Sequence, residues 1–330
     1  MSMDIAKSAI DKHMINSNDF DEIEIDLFGG EPFLRPEFIQ ELCEWSWNQK
    51  YYKPMIFFVD TNGTKVHGEI QTWLRKYSNI IYLGLSLDGT PNTHNKNRSN
   101  SYNDIDIDFF LKTYPYQPVR MTITSGSLGN LSKDIIYIHE LGFEVTASLA
   151  QGINWNIEQD KKQFALELSK ICEYYLNNTS ISPCSLFDMY LPLVINKTEQ
   201  TKWCGCGTNM VTVDIDGKEY PCHLFLPSSM PDEINWNNLN FSDNQVFSDD
   251  ECKTCFIKNI CPTCYGINLV REHDVNKRDK NLCELYKILA LANSCLKGLM
   301  IEKKILTIDD SKELYDTIKA IKQIQNNIVI

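Results

Sequence analysis

The chain lacks any apolar run near the ~18 residues that a membrane-spanning helix needs. Its start, Met1-Ser2-Met3-Asp4, has no basic segment leading into an apolar stretch, so no targeting signal is legible. Cationic excess is also missing: 32 Lys and Arg face 44 Asp and Glu, a formal charge of −12. Without a broad basic field, DNA or RNA is excluded as the main ligand. The expectation is a cytoplasmic protein with no nucleic-acid and no membrane partner. Core material is not lacking. Of 330 residues 43% are hydrophobic, with 15 Phe, 15 Tyr and 6 Trp, which argues against disorder. That length suits one large domain plus a smaller one.

Residues 1 to about 150 alternate between short β-rich runs and amphipathic stretches. Strands are expected at Glu22–Phe28, Met55–Asp60, Ile80–Leu87, Pro118–Thr124 and Phe143–Leu149. Helices are expected near Pro36–Trp47, His67–Tyr77, Asp104–Thr113 and Leu131–Leu141, after an opening helical pattern at Ile5–Met14. Repeated β-then-α order implies a parallel sheet with right-handed crossovers, open or closed. A longer helix follows at Ile157–Leu176, with Phe164, Leu168, Ile171, Cys172 and Tyr175 on one face. Residues 177–200, interrupted by Pro183 and Pro192, read as a linker. Two helices near Cys283–Lys303 and Ile308–Gln325 end the chain.

Cysteine is the concentrated element. Eight of the 12, namely Cys204, Cys206, Cys222, Cys252, Cys255, Cys261, Cys264 and Cys283, fall within one short region. No secreted context is indicated, so metal binding is a better reading than disulfides. Cys252-Lys-Thr-Cys255 and Cys261-Pro-Thr-Cys264 are two CxxC pairs, each able to turn two thiolates toward one centre. A hairpin turning at Asp216-Gly217 is expected to return Cys222 near Cys204. The region shows little apolar periodicity and is expected to need metal staples for want of a core. Structural zinc is one reading. Two iron–sulfur clusters with four cysteines each is the other, since the gap between the CxxC pairs is short for a zinc ribbon. Cys43, Cys172 and Cys295 fall on apolar helical faces and read as core thiols.

Several motifs together resemble radical S-adenosylmethionine (SAM) enzymes with a C-terminal SPASM domain. Gly29-Gly30-Glu31-Pro32 after a strand is similar to their GGEP motif. Ser86-Leu87-Asp88-Gly89, then His94 and Arg98, is similar to their SLDG…H…R segment. Cys204, Gly217, Cys222, Cys252, Cys255, Cys261, Cys264 and Cys283 follow the SPASM order. There are three departures: a two-residue gap between Cys261 and Cys264, the additional thiol Cys206, and no CxxxCxxC signature anywhere in the chain.

The resemblance implies an α/β fold: a partial (β/α)6 TIM-like barrel with its first strand missing, then a small SPASM-like iron–sulfur domain and C-terminal helices. The implied boundaries are 1–178, a linker at 179–200, 201–290 and 291–330. It implies SAM contacts at Gly29, Gly30, Glu31, Pro32, Asn62, Ser86 and Asp88, and Arg98 as a partner for a carboxylate of SAM or substrate. For Gly29 and Gly30 the plain alternative is a turn needing positive φ. It further implies two auxiliary [4Fe–4S] clusters, one on Cys252, Cys255, Cys261 and Cys283. The other would use Cys204, Cys222 and Cys264, with Cys206, Cys184 or an open site as its fourth position. Cys206, the extra thiol, is expected to matter less than Cys204.

The implied function is maturation of a ribosomally made precursor peptide, with a small protein as electron donor and SAM as cosubstrate. The missing signature leads to the expectation that the reading frame continues upstream of Met1. His223, where sulfatase-maturing members carry an Asp, weighs against that substrate. A non-catalytic iron–sulfur or electron-transfer partner, and a zinc-stapled binding module, are the alternatives.

Overall fold

A computed structural model of the chain describes residues 1–16, 20–196, 202–247 and 249–328. The end of the expected linker, 197–200, lies outside the described residues. By contact density the chain divides into two units. One comprises Met1–Met121, Tyr137–Thr146 and Val213–Glu219; the other comprises Thr122–Ile136, Ala147–Thr212 and Tyr220–Ile330.

Five strands form where the β-rich runs fall: β1 (Ile23–Leu27), β2 (Met55–Thr61), β3 (Ile81–Leu85), β4 (Val119–Ile123) and β5 (Val145–Leu149). β1, β2 and β3 are parallel, with Leu27 opposite Val59 and Thr61 opposite Leu85. A parallel bridge from Ser86 to Arg120 continues the order to β4. Between β4 and β5 the Val119 amide donates to the Glu144 carbonyl at the start, and the Ala150 amide to the Ile123 carbonyl at the end. The two strands therefore run the same way. Adjacent strands are thus adjacent in sequence, the order that βα repeats impose.

Alternation separates the two faces of the sheet. Phe57, Val59, Ile81, Leu83, Leu85, Val119, Met121 and Ile123 are buried. Each large one contributes ~1.5–3 kcal/mol by leaving water. β1 differs: Ile23, Ile25 and Leu27 are only half-buried, and among the described residues its outer edge carries no strand.

The crossover helices of the first unit follow their apolar spacing. α1 (Met3–Asn16) buries Ala6, Ile10 and Met14. α2 (Pro36–Trp47) starts at a proline and buries Ile39, Leu42, Cys43 and Ser46. α3 (Glu69–Tyr77) buries Ile70, Trp73 and Leu74. α4 (Pro91–Asn97) is not legible in the sequence as a helix; its stretch PNTHNKN has no apolar stripe, and Pro91 with the Thr90 cap starts it. α5 (Ile107–Thr113) is shorter than expected because the Asp106 carboxylate caps the Phe109 amide at 3.1 Å. α6 (Leu131–Leu141) has the expected bounds.

In the second unit α7 (Ile157–Asn177) buries Phe164, Leu168, Ile171 and Tyr175, and it packs against the helix Lys280–Glu302. The stretch read as a linker is partly packed: Cys184, Leu186, Phe187 and Leu191 are buried in two short 3-10 turns. β6 (Thr212–Val213) and β7 (Glu219–Tyr220) form the expected hairpin, with Gly217 at φ 86 in its turn; its residues Val213–Glu219 are counted with the first unit. α8 (Tyr265–Glu272), absent from the sequence reading, begins immediately after Cys264. α9 (Lys280–Glu302) is one continuous helix capped by Asp279, and the boundary expected at 290/291 falls inside it. α10 (Ser311–Asn327), capped by Asp310, packs on α9.

The Cys-rich segment does have a core, contrary to the expectation of a region short of one. Phe225, Met230, Phe247, Tyr265, Leu269 and Val275 are buried together with Cys206 and Cys222. Phe225 meets Phe241 edge-on at 5.4 Å, and Phe247 meets Tyr265 at 4.7 Å. Most of these rings come from irregular backbone, so no periodicity announces them.

Candidate functional site

The strand ends of the first unit carry the GGEP and SLDG segments. The Glu31 carboxylate accepts from Phe33 N (3.1 Å), Thr61 Oγ1 (2.8 Å) and Asn62 N (2.7 Å). It ties the ends of β1 and β2 together. Pro32 opens a 3-10 turn that buries Phe33. Asn62 Oδ1 accepts from Thr64 N at 2.9 Å, closing a local turn. The Ser86 amide donates to Thr61 O at 2.9 Å, linking β3 to β2.

Gly29 and Gly30 are exposed, and neither has positive φ, so the turn does not require glycine for its backbone. A Cβ at either position would meet nothing within 4 Å. Packing gives these two glycines no role.

Asp88 and Arg98 account for each other. Arg98 Nε and Nη2 donate to the two Asp88 oxygens at 2.8 and 3.0 Å, a bidentate pair with Asp88 buried. Arg98 is thus engaged within the turn through Nε and Nη2. His94 is fully buried; its Nδ1 accepts from the Asp88 amide, and Nε2 lies 3.2 Å from Ser101 Oγ. Burial holds its pKa down at about 4. The SLDG…H…R segment thus builds its own turn.

One sheet face beneath these ends is charged. Asp26 and Glu24 on β1, Asp60 on β2 and Arg120 on β4 share it, with Asp60 Oδ1 2.9 Å from Arg120 Nε. Burial, with Glu24 adding, raises Asp26 to about 6.

In the second unit the eight clustered cysteines are all free thiols, and they act electrostatically on one another within two sets of four. Cys206 and Cys222 act on each other so that the Cys222 pKa is lowered and that of Cys206 raised. Cys222 and Cys204 act electrostatically on Cys264, and Cys204 on Cys206. In the other four, Cys255 acts on Cys252, Cys261 and Cys283, and Cys252 on Cys283. Burial pushes Cys261 up to about 12 and Cys283 up to about 11. Both must lose protons to become ligands, so any metal uptake releases acid.

Cys184 is elsewhere, buried with its amide donating to Tyr175 Oη at 2.8 Å, and it acts on Cys172. Cys43 is fully buried, as a core thiol should be, whereas Cys172 and Cys295 are half-buried and line a groove between α7 and α9. His223 opens the short turn after Cys222.

Two cations beside the thiols are not marked by the sequence. Lys202 Nζ donates to Cys206 O, to Thr208 Oγ1 (3.1 Å) and to Phe241 O (3.0 Å). Arg278 Nη1 donates to Cys261 O at 2.8 Å. Nothing in the spacing singles out Arg278, because the chain path alone brings it to Cys261.

A donor set of thiols alone, four per site, is chemically suited to iron–sulfur ligation. Among the described residues no group of three or more His, Cys, Asp or Glu is placed to hold a single metal ion.

The architecture is a radical SAM-like α/β fold. Solved structures that share it include native anSMEcpe with bound AdoMet, at 20% identity over 91% of this chain and 89% of that one (TM-score 0.69). anSMEcpe is an anaerobic sulfatase-maturating enzyme of the radical SAM/SPASM class. A hexahistidine-tagged form with bound AdoMet matches at 19% identity over 96% and 89% (TM-score 0.71). Native anSMEcpe with bound AdoMet and Kp18Cys peptide matches at 19% over 92% and 91% (TM-score 0.68). No protein-family model matches the chain, and no curated protein matches it in sequence. No helix among the described residues is long and apolar enough to cross a membrane.

Proposed function

We propose that the chain is a peptide-modifying protein of the radical SAM/SPASM type that binds two auxiliary [4Fe–4S] clusters. The observation that carries this reading is the run of eight free thiols from Cys204 to Cys283 in one region of a chain whose fold is shared with anSMEcpe. Cys252, Cys255, Cys261 and Cys283 would hold one cluster, and Cys204, Cys206, Cys222 and Cys264 the other. Thiolates that each bind a different iron of one cluster need not converge on a point, which favours this reading over a zinc staple. The finer organisation belongs to the same proposal: a partial barrel at 1–178, a linker at 179–200, a SPASM-like domain at 201–290 and C-terminal helices at 291–330.

SAM would lie over Gly29 and Gly30, whose open surroundings leave its approach unhindered, with Ser86 at the neighbouring strand end. Glu31, Pro32, Asn62 and Asp88 would shape that pocket by holding the strand ends and the turn after β3. When bound, SAM supplies a radical that abstracts hydrogen from a peptide. The clusters would pass or accept an electron from a small donor protein. The chain's own residues position these groups and exclude water.

A second reading rests on one sequence fact. None of the 330 residues belongs to a CxxxCxxC motif, so these residues supply no ligand triplet for the SAM-cleaving cluster. On that reading the chain is a non-catalytic iron–sulfur partner.

Anaerobic iron and sulfide analysis tests the first claim, with about eight of each expected per chain from two four-cysteine clusters. Absence of both, with zinc bound instead, would refute it. Formation of 5′-deoxyadenosine from SAM under a strong reductant separates the enzyme from the partner.

A further inference from the structure

Arg278 is held against Cys261, one of the four thiols assigned to this cluster, by contacts that orient a charge. Its Nη1 donates to the Cys261 carbonyl at 2.8 Å. Its backbone amide donates to Asp249 Oδ2 at 3.2 Å. Asp249 is buried, and its other oxygen accepts from Glu251 N at 2.9 Å. The backbone at 278 is thus pinned from one side and the guanidinium from the other.

We propose that Arg278 is a tuning residue for this site, raising the reduction potential of the iron–sulfur cluster its four thiolates hold. The inference rests on the cluster reading above. The physics is a one-electron couple in which the reduced cluster carries one more negative charge, with no bond made and no proton moved. A fixed cation beside the cluster favours the more negative form. Arginine suits the role because it stays charged at any working pH and holds the Cys261 carbonyl with a rigid planar fork. The other four has Lys202 instead, bound to carbonyl and hydroxyl oxygens, so the two sites carry different cations.

The test is a redox titration of the anaerobically reconstituted full chain with dithionite, followed by electron paramagnetic resonance. Wild type, Arg278→Lys and Arg278→Gln are compared, with iron and sulfide counted in each. The signal from the Arg278 site is assigned by its alteration in Cys283→Ser. In Arg278→Gln the reduced-to-oxidised ratio of that cluster at the wild-type midpoint should fall about tenfold, equivalent to ~59 mV for one electron. Arg278→Lys should recover much of the shift, and the second cluster should keep its midpoint in both variants.

An unchanged midpoint in fully loaded Arg278→Gln overturns the tuning role while leaving the cluster reading intact. Loss of iron from both variants with the fold retained also overturns it, in favour of a purely structural arginine. Iron and sulfide contents that do not change on Cys252→Ser would remove the underlying reading and this inference with it.

Discussion

Asp60 on β2 and Arg120 on β4 meet at 2.9 Å across the intervening strand, and they do so because position 84 on β3 has no side chain. A Cβ at Gly84 would lie 2.3 Å from Asp60 Oδ1 and 2.9 Å from Arg120 Nε. The glycine is a window through which two strands that are not neighbours exchange charge. Arg120 also lies over the Phe58 ring at 4.8 Å, so the contact is packed as well as ionic.

Gly84→Ala should close that window. A double-mutant cycle on Asp60 and Arg120 should give a coupling of ~0.5–1 kcal/mol in the native background, modest because both side chains are partly solvated. In the Gly84→Ala background the coupling should vanish. Urea titrations of the four proteins in each background measure it, and an unchanged coupling would show that the pair bridges without needing the gap.

Gly207→Ala should be costlier. Gly207 has φ 67, and a Cβ there would come within 2.4 Å of the Phe241 ring. Left-handed strain and overpacking together should cost about 2–4 kcal/mol. The loss should be visible as a lowered melting temperature and as weakened iron retention, since the same turn carries Cys204 and Cys206.

Stability should fall as acid protonates His94. Its folded pKa of about 4 lies below the ordinary value of 6.5, because burial opposes the charged ring. Between those values the unfolded chain binds the extra proton and the folded chain does not. Stability is therefore full above about 6.5 and is lost as the pH falls toward about 4. His94→Gln should flatten that limb of a urea-midpoint profile; a limb of unchanged slope would place the acid sensitivity on other groups.

The grouping of thiols makes a prediction about single cysteines. As a thiol outside the family pattern, Cys206 is expected from sequence to matter less than Cys204. The proposed assignment of Cys206 to the first four gives it equal weight. Serine at Cys204, Cys206, Cys222 or Cys264 should each remove about four irons. Serine at Cys184, which sits beside Tyr175, should remove none. Iron retained in full by Cys206→Ser would leave that cluster with a non-cysteine or open fourth position.

The five strands are legible because alternating Ile, Val and Phe between turn residues is a strong local signal, and the order of βα units follows from it. α4 is hidden because Pro91–Asn97 is polar throughout and is specified by its cap rather than by a stripe. α8 is masked by the cysteine motif it abuts. The aromatic core around Phe225 and Tyr265 escapes for a related reason: most of its rings project from loops, where spacing carries no information. At the site, the sequence order of the cysteines is sufficient to name eight candidate ligands. That Cys206 and Cys222 come to lie beside each other follows only from the β6–β7 hairpin, where the Gly207 amide donates to Pro221 O at 3.0 Å. The pairing of Asp88 with Arg98 likewise emerges only once the turn after β3 is closed.

The two fours are interleaved along the chain, and this has a consequence for biosynthesis. Cys264, the last thiol of the first four, leaves the ribosome after Cys252, Cys255 and Cys261 of the second. Neither site can be finished before the other is largely exposed. At ~5–20 residues per second of synthesis, several thiols stand open together for seconds. On the proposed two-cluster reading, a cell that makes this chain would have to deliver iron and sulfide to an almost complete polypeptide, and shield it from oxidants until then.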